Sequence, residues 1–423
     1  MTVPATMLGG GATARPSGYP GARPAASRAP RASLSQGRAL VRDRWRMSFE
    51  ARALVMVTAT LVAFGLATLY SASAYVAMSK DLPSWFFLWK QITGVVAGVV
   101  GFAILAKFEA EQLREWAWPI MGLSILALLV TVLPGMPGFI SPVIGGSRRF
   151  LLGGSIQPSE FAKLALVLWT AMLIVKKGGE EGLRRLSKGL MPFMIILGVL
   201  SLIAVLQPDL SVVLFYALVM GIMLFAAGAR IGHFVLLGSA AVPVLWSEVH
   251  RLEYVMRRLM GFAAGADTAS AVNHQLQQSL IAVGSGGIFG VGFGQGRQQL
   301  GFLPLPYNDF VGSNVGEEWG FVGMVGLILL YSAWGWLGFR IAKMARTPFQ
   351  QITAIGLTVT MVITAFLHLG VVIGLLPTTG LTLPFISYGR SNIVLSLLMT
   401  GILVNIGSQK ERVIGEQATN PLA

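Results

Sequence analysis

The chain has 423 residues, 54% of them hydrophobic and 12% charged, with no cysteine and a formal net charge of +14. Its mean hydropathy of +0.69 excludes an ordinary soluble domain, whose charged fraction is nearer ~25%. The absence of cysteine excludes a disulfide framework and a thiolate metal site. No Walker A or GxGxxG sequence occurs, and His233, His250, His274 and His368 lack paired metal-ligand spacing, which argues against an ATP-driven pump. Positive charge can signal nucleic acid, but in a membrane protein it collects in cytoplasmic loops. No nucleic-acid partner is expected.

Residues 1–47 are rich in Pro, Gly, Ala, Ser and Arg without apolar periodicity, and read as a disordered basic tail. Arg38, Arg42, Arg44 and Arg46 adjoin the first apolar run, which places the N-terminus in the cytoplasm. Residues 48–410 read as one polytopic membrane domain, and 411–423 as a short cytoplasmic tail. Apolar runs of about 17–25 residues, the length of a helix that crosses a bilayer, recur through this domain. They do not alternate as barrel strands do. The expected fold is therefore an all-α integral membrane protein of about ten transmembrane helices. The spans fall at 51–75, 85–106, 114–134, 159–176, 190–206, 210–228, 231–249, 318–340, 352–376 and 391–407, with a long outer loop between helices 7 and 8. Lys107, the group from Lys176 to Lys188, Arg230, Arg340, Lys343, Arg346, Lys410 and Arg412 then fall on the cytoplasmic side, and both termini with them. Arg148, Arg149, Arg251, Arg257, Arg258, Arg297 and Arg390 fall on the outer side. Long loops are exempt from the charge rule; alternatively these cations hold an anionic head group.

Three stretches could carry chemistry. In GGSRRFLLGGSIQPSEFAKL (145–164), Pro158 breaks the chain and Ser159 is placed to cap the next helix. Glu160 and Lys163, at i and i+3, can pair on one face. Lys163 at membrane depth reads either as half of a local ion pair or as a ligand for a charged group in an interior cavity. From His274 to Gly320 the chain turns polar. A short amphipathic helix over 274–283 sets Leu276, Leu280 and Ile281 on one side and Gln275 and Gln278 on another. Alternating Gly290, Gly292, Gly294 and Gly296 before Arg297 read as a flexible turn or as backbone that approaches a phosphate closely. Pro304 and Pro306 stiffen the approach to Tyr307-Asn308-Asp309. Asp309 suits a general base or a divalent-metal ligand, and equally a helix N-cap or solvated acid. Glu317 and Glu318 begin the next helix, one suited to its N-terminal dipole and the other to a buried pair. The third stretch, HLGVVIGLLPTTGLTLPFISYGRSN (368–392), is broken by Pro377, Gly380, Pro384 and Gly389. It reads as a re-entrant segment that must be buried in protein or line a cavity, forming a wall opposite the central loop.

Together GGSRRF…QPSEFAKL, AVLQPDLSVV, QSLIAVGSGGIFGVGFGQG, NDFVGSNVGEEWG and GLLPTTGLTLPFISYG resemble the SEDS family (shape, elongation, division and sporulation), which includes FtsW and RodA. The resemblance covers roughly 50–408, and TTGLTLPF and the long basic tail are nearer the FtsW branch. It implies a peptidoglycan glycosyltransferase that polymerises lipid II, the undecaprenyl-pyrophosphate-linked disaccharide-peptide, at the outer face of the bacterial cytoplasmic (inner) membrane, at the division septum. It implies Asp309 as the catalytic acid, and Arg149, Lys163, Glu317 and Glu318 as further site positions. Gln278, Arg297 and Ser387 lie in the same motifs and are candidates for substrate binding. A divalent cation (Mg or Mn) on Asp309 is the possible cofactor. The partners implied are an FtsI-like class B penicillin-binding protein, a transpeptidase, and other divisome proteins. The competing expectations are a lipid II flippase, a non-catalytic divisome scaffold, and a RodA-like elongation polymerase. Three departures stand out: Tyr307-Asn308 where the family has His-Thr, Arg390-Ser391-Asn392 where it has Gly-Ser-Ser, and Phe150 in place of Trp.

Overall fold

The computed structural model describes residues 41–414 apart from 134, 144–146, 237, 240–255 and 257–270. The chain forms two units. One joins Met1–Arg42 with Arg412–Ala423 and lies almost wholly outside the described residues; the other, Asp43–Glu411, carries the helices. In chain order these are α1 (Phe49–Met78), α2 (Phe86–Lys107), α3 (Leu113–Val132), α4 (Pro158–Lys176), α5 (Met191–Leu206), α6 (Leu210–Ala226), α7 (Ala271–Ser285), α8 (Val311–Lys343), α9 (Pro348–Val372) and α10 (Arg390–Ile406). α1 to α4, α8 and α9 are long and apolar enough to cross a membrane, and α5, α6 and α10 are shorter apolar helices. Nine of the expected spans fall on these helices. The other, 231–249, lies largely outside the described residues, as do Arg251, Arg257 and Arg258.

Two short strands, β1 (Val41–Met47) and β2 (Ser408–Ile414), pair in a two-stranded sheet. The tails expected at 1–47 and 411–423 are thus structured in their inner residues. In Val41–Met47 the arginines at 42, 44 and 46 alternate with Val41, Trp45 and Met47, a period-2 pattern, and each strand is completed by hydrogen bonds from the other end of the chain.

Two further boundaries differ from the sequence reading. α9 stops at Val372, not 376, because a Schellman turn closes it. Gly374 adopts φ 73°, its N–H donates to Val371 O (3.0 Å), and the Leu375 N–H donates to Gly370 O (2.8 Å). α4 is capped by Gln157 and has Pro158 in its first turn, so Ser159 lies inside the helix instead of capping it.

α4 and α9 are buried along most of their length and form the centre of the bundle. At one end of the bundle Arg340 (α8) meets Glu50 (α1) at 2.8 Å. There Thr347, the N-cap of α9, donates to Glu111 (2.7 Å), and Asn405 (α10) joins the Ala110 N–H (3.0 Å) to Ala106 O (2.9 Å). The connections around Lys107 and Arg340, both expected in the cytoplasm, therefore meet at one end. The N-termini of α4, α8 and α10 and the C-terminus of α9 gather at the other.

α2 packs closely along α10 through small residues. Gly94 faces Arg390 and Ile393, Gly98 faces Val394 and Leu397, and Gly101 faces Leu398. Between helices in lipid, close approach of this kind supplies van der Waals contact where the hydrophobic effect is weak. A Cβ on Gly98 would fall 2.6 Å from Leu397 Cδ1. Gly98→Leu is therefore expected to lower the melting temperature in detergent, an overpacking cost of about 1–3 kcal/mol. Gly122→Leu, at a position with no atom within 4 Å, is expected to leave it unchanged.

Candidate active site

The segment before α8 is a rigid turn. Leu305 takes φ 52° between two prolines, and the Asn308 N–H donates to Leu305 O (3.1 Å). The re-entrant segment after α9 clamps this turn. The Ser387 hydroxyl donates to Asn308 O and accepts from the Leu383 N–H, both at 2.8 Å. The Tyr388 N–H donates to Tyr307 O (2.9 Å). Gln91, from α2, holds the clamp in turn: its amide donates to Ser387 O (3.2 Å) and accepts from the Gly389 N–H (3.1 Å). The rings of Phe87, Tyr307 and Tyr388 pack mutually at centroid distances of 4.8, 5.3 and 5.7 Å. The Tyr307 ring is thus fixed by aromatic packing within the clamp. Burial pushes both phenols above the ordinary tyrosine range. Tyr388 and Asp309 add to the shift of Tyr307, and Arg390 partly offsets that of Tyr388. Both phenols therefore stay protonated.

The turn borders a cavity of about 690 Å³. Asp309, half-buried, lies on its wall with Arg149, Glu160, Asp209, Tyr388 and Arg390. The re-entrant segment contributes residues 377–382 and 388–392, as expected of a wall of the site. α8 begins at Val311 with Phe310 as its cap residue, so Asp309 is not an N-cap. Arg149 donates to Gln207 O (3.0 Å) and Pro208 O (2.7 Å), and its guanidinium lies 3.4 Å from the Asp209 carboxylate. Lys163 is buried behind the wall, 2.7 Å from Glu160 Oε1 and 5.0 Å from the centroid of the Phe215 ring. Of the two readings of Lys163, the geometry favours the ion pair: Glu160 faces the cavity and Lys163 balances it, as a buried ammonium requires.

The remaining candidates lie elsewhere. Glu317 and Glu318 sit in the second turn of α8, not at its start, and hold the central loop. The Glu317 carboxylate accepts from the N–H groups of Arg297 (2.8 Å) and Gln298 (3.2 Å). Glu318 accepts from the Ser71 hydroxyl and from Gln299 (3.1 Å). Arg297 contributes its backbone to this contact and leaves its side chain exposed. Gln278 is half-buried on α7, whose Ser279 bonds Ser313 (2.6 Å) and Val372 O (2.8 Å). The buried face of α7 carries Leu276, Ser279 and Ala282, and Ile281 is exposed.

Of the alternating glycines, Gly290 packs on the α8 backbone and Gly296 on the Glu317 and Glu318 side chains, while Gly294 is exposed. α8 breaks at Gly320 (φ 64°), and the loop supplies the hydrogen bonds lost there. The Val291 and Gly292 N–H groups donate to Glu317 O (3.0 Å) and Glu318 O (3.1 Å). In return Gly287 O and Ile288 O accept from the Phe321 (2.9 Å) and Val322 (3.1 Å) N–H groups. A side chain at Gly286 or Gly290 would strike the α8 backbone.

Among the described residues no three His, Cys, Asp or Glu side chains converge on a metal site. The cavity is lined by the hard carboxylate oxygens of Glu160, Asp209 and Asp309 without such a cluster, which suits Mg or Mn where a substrate's phosphates supply other ligands. The sequence reading passed over Gln91 and Tyr388. Gln91 had a signal: a lone buried amide in an apolar helix implies a polar partner inside the bundle.

The model of the cell cycle protein family FtsW/RodA/SpoVE matches residues 51–412. The probable peptidoglycan glycosyltransferase FtsW of Trichlorobacter lovleyi is 35% identical over 370 residues, 87% of this chain and 96% of that protein. Stage V sporulation protein E of Bacillus subtilis is 35% identical, covering 84% of this chain and 95% of its own length. Among solved structures, a chain of a peptidoglycan synthase complex that coordinates polymerization and crosslinking superposes with TM-score 0.68 at 25% identity, over 84% of this chain and 97% of that one. The Thermus thermophilus rod shape determining protein RodA gives TM-score 0.58 at 25% identity, over 84% and 95%. With its multi-pass helical bundle and this match along nearly the whole described chain, the protein belongs to the FtsW/RodA/SpoVE family of cell cycle proteins.

Proposed function

We propose that this chain is a peptidoglycan glycosyltransferase that polymerises lipid II into glycan strands at the outer face of the cytoplasmic membrane, during septal wall synthesis. One observation carries the reading: in a chain whose relatives are named peptidoglycan glycosyltransferases, Asp309 is held on a rigid turn at the wall of a cavity that also presents Arg149. The flippase, scaffold and elongation readings are not favoured by those relatives.

The Asp309 carboxylate accepts the proton of the acceptor sugar hydroxyl. The hydroxyl oxygen bonds to the donor's anomeric carbon, and the bond from that carbon to the pyrophosphate oxygen breaks, its electron pair leaving with the lipid pyrophosphate. Arg149 lies where it can balance the leaving charge, its own charge shared with Asp209. Asp309 is also the residue that would hold Mg or Mn together with the substrate's phosphates, and such an ion would neutralise the leaving group.

The cationic connections around Arg340 and Lys107 lie in the cytoplasm, as do both termini, and the cavity opens at the outer leaflet. An FtsI-like class B penicillin-binding protein cross-links the strands within the divisome. The synthase complex to which one similar chain belongs coordinates the same two activities.

Asp309→Asn keeps size and removes the charge. In a lipid II polymerisation assay with the partner present it is expected to lower the rate by about 100-fold or more, with partner binding retained; equal rates would remove Asp309 from the catalytic role. Ser387→Ala deletes both hydrogen bonds of its hydroxyl; the one to Asn308 O, which holds the turn, is worth roughly 1 kcal/mol, and its loss is expected to lower kcat about fivefold. Titrating Mg or Mn into chelated enzyme tests the cation: restored activity with a half-saturating concentration shifted by Asp309→Glu is the expected result, and full activity in chelator speaks against it.

A further inference from the structure

We infer that Arg390 is a second anion-binding side chain of the cavity and takes the diphosphate of the bound lipid-linked sugar; this rests on the function proposed above. The charged groups of the wall carry the argument. Arg149 is engaged by Asp209 and two carbonyls, and Glu160 by Lys163. Arg390 has no carboxylate partner among the described residues. Its guanidinium gives one N–H to Ser155 Oγ at 2.5 Å, out of the five donors the group carries.

Its placement is costly without an anion. Arg390 is the first residue of α10, where the helix dipole is positive and a cation is disfavoured. The arm is nevertheless seated. Arg390 Cα and Cγ lie over Gly94 of α2, 3.2 and 3.3 Å from where a Cβ on that glycine would be. α2 thus yields a side chain's worth of space to the stem, and the planar guanidinium is held at the cavity wall. A guanidinium meets phosphate oxygens in pairs, a geometry that an ammonium cannot match. A cavity of about 690 Å³ is within the size range of small-molecule sites.

The competing role is a staple. Ser155 lies in the α3–α4 connection, which is also tied to α10 by the Gln157 N–H donating to Ser391 Oγ (2.8 Å). The experiment separates the two roles. Wild type, Arg390→Gln, Arg390→Lys and Ser155→Ala are reconstituted in nanodiscs, and three quantities are measured: KM for lipid II, inhibition by inorganic pyrophosphate, and direct pyrophosphate binding by calorimetry. Arg390→Gln is expected to raise KM and to weaken pyrophosphate inhibition and binding by about tenfold, the loss of one charge-assisted hydrogen bond. Arg390→Lys is expected to fall between, and it keeps the test open should the glutamine variant not fold. Ser155→Ala, which keeps the charge and loses the staple, is expected to bind pyrophosphate as wild type does.

The inference is overturned if Arg390→Gln binds pyrophosphate as wild type does, or if Ser155→Ala reproduces its shift, which would leave only the staple. A raised KM with unchanged pyrophosphate inhibition would assign Arg390 to another anion of the substrate and overturn the diphosphate assignment. Should wild type fail to polymerise lipid II, the proposed function fails, yet the binding measurement still decides on Arg390.

Discussion

The structure depends on one constraint: inside a bilayer every backbone N–H and C=O must find a partner within the protein. At two of the places where the described chain departs from regular helix, the departure is repaired by another segment. At Gly320 the α8 ladder breaks, and residues 287–292 of the central loop pair with the backbone on both sides of the break. After α9 the re-entrant segment is irregular, yet Leu381, Leu383, Phe385 and Ile386 are buried in the bundle. The Tyr331 hydroxyl donates to Pro384 O, and Asn392 donates to Leu383 O at 3.1 Å. These repairs bring two irregular segments together at one end of the bundle, where the cavity forms between them.

The same constraint governs charge. A lone buried ion is too costly to keep, so acids and bases at depth come paired. Lys163 with Glu160 and Arg149 with Asp209 follow this rule. Glu317 and Glu318 follow it differently: their partners are backbone N–H groups, a hydroxyl and an amide, which tie the central loop to α8 and α1. The acidic pair of the GEE motif is therefore scaffolding for the loop that leads into Asp309.

Rigidity at the site is bought with long-range contacts. Asp309 follows a turn fixed by Ser387, Tyr388 and Gln91, residues from α2 and from the segment before α10. A carboxylate on such a support is pre-oriented. The departures from the family pattern fit this support. Tyr307 stacks within the clamp, and Arg390 occupies space that Gly94 leaves open.

The sequence by itself determined the membrane-spanning class, nine of the helices, the connections in which cations collect, and the place of Asp309 in a proline-stiffened turn. Each follows from a local quantity: the length of an apolar run, the count of cations in a loop, or an acid in a proline-stiffened turn. The tertiary structure alone decided which polar groups meet. Gln91 and Ser387 are 296 residues apart, and Ser71 and Glu318 are 247 apart. No periodicity encodes such pairings, because spacing along a helix reports which face is buried and not what it is buried against. For the same reason Gly290 was legible as a close-approach position, but its partner, the broken backbone of α8, was not.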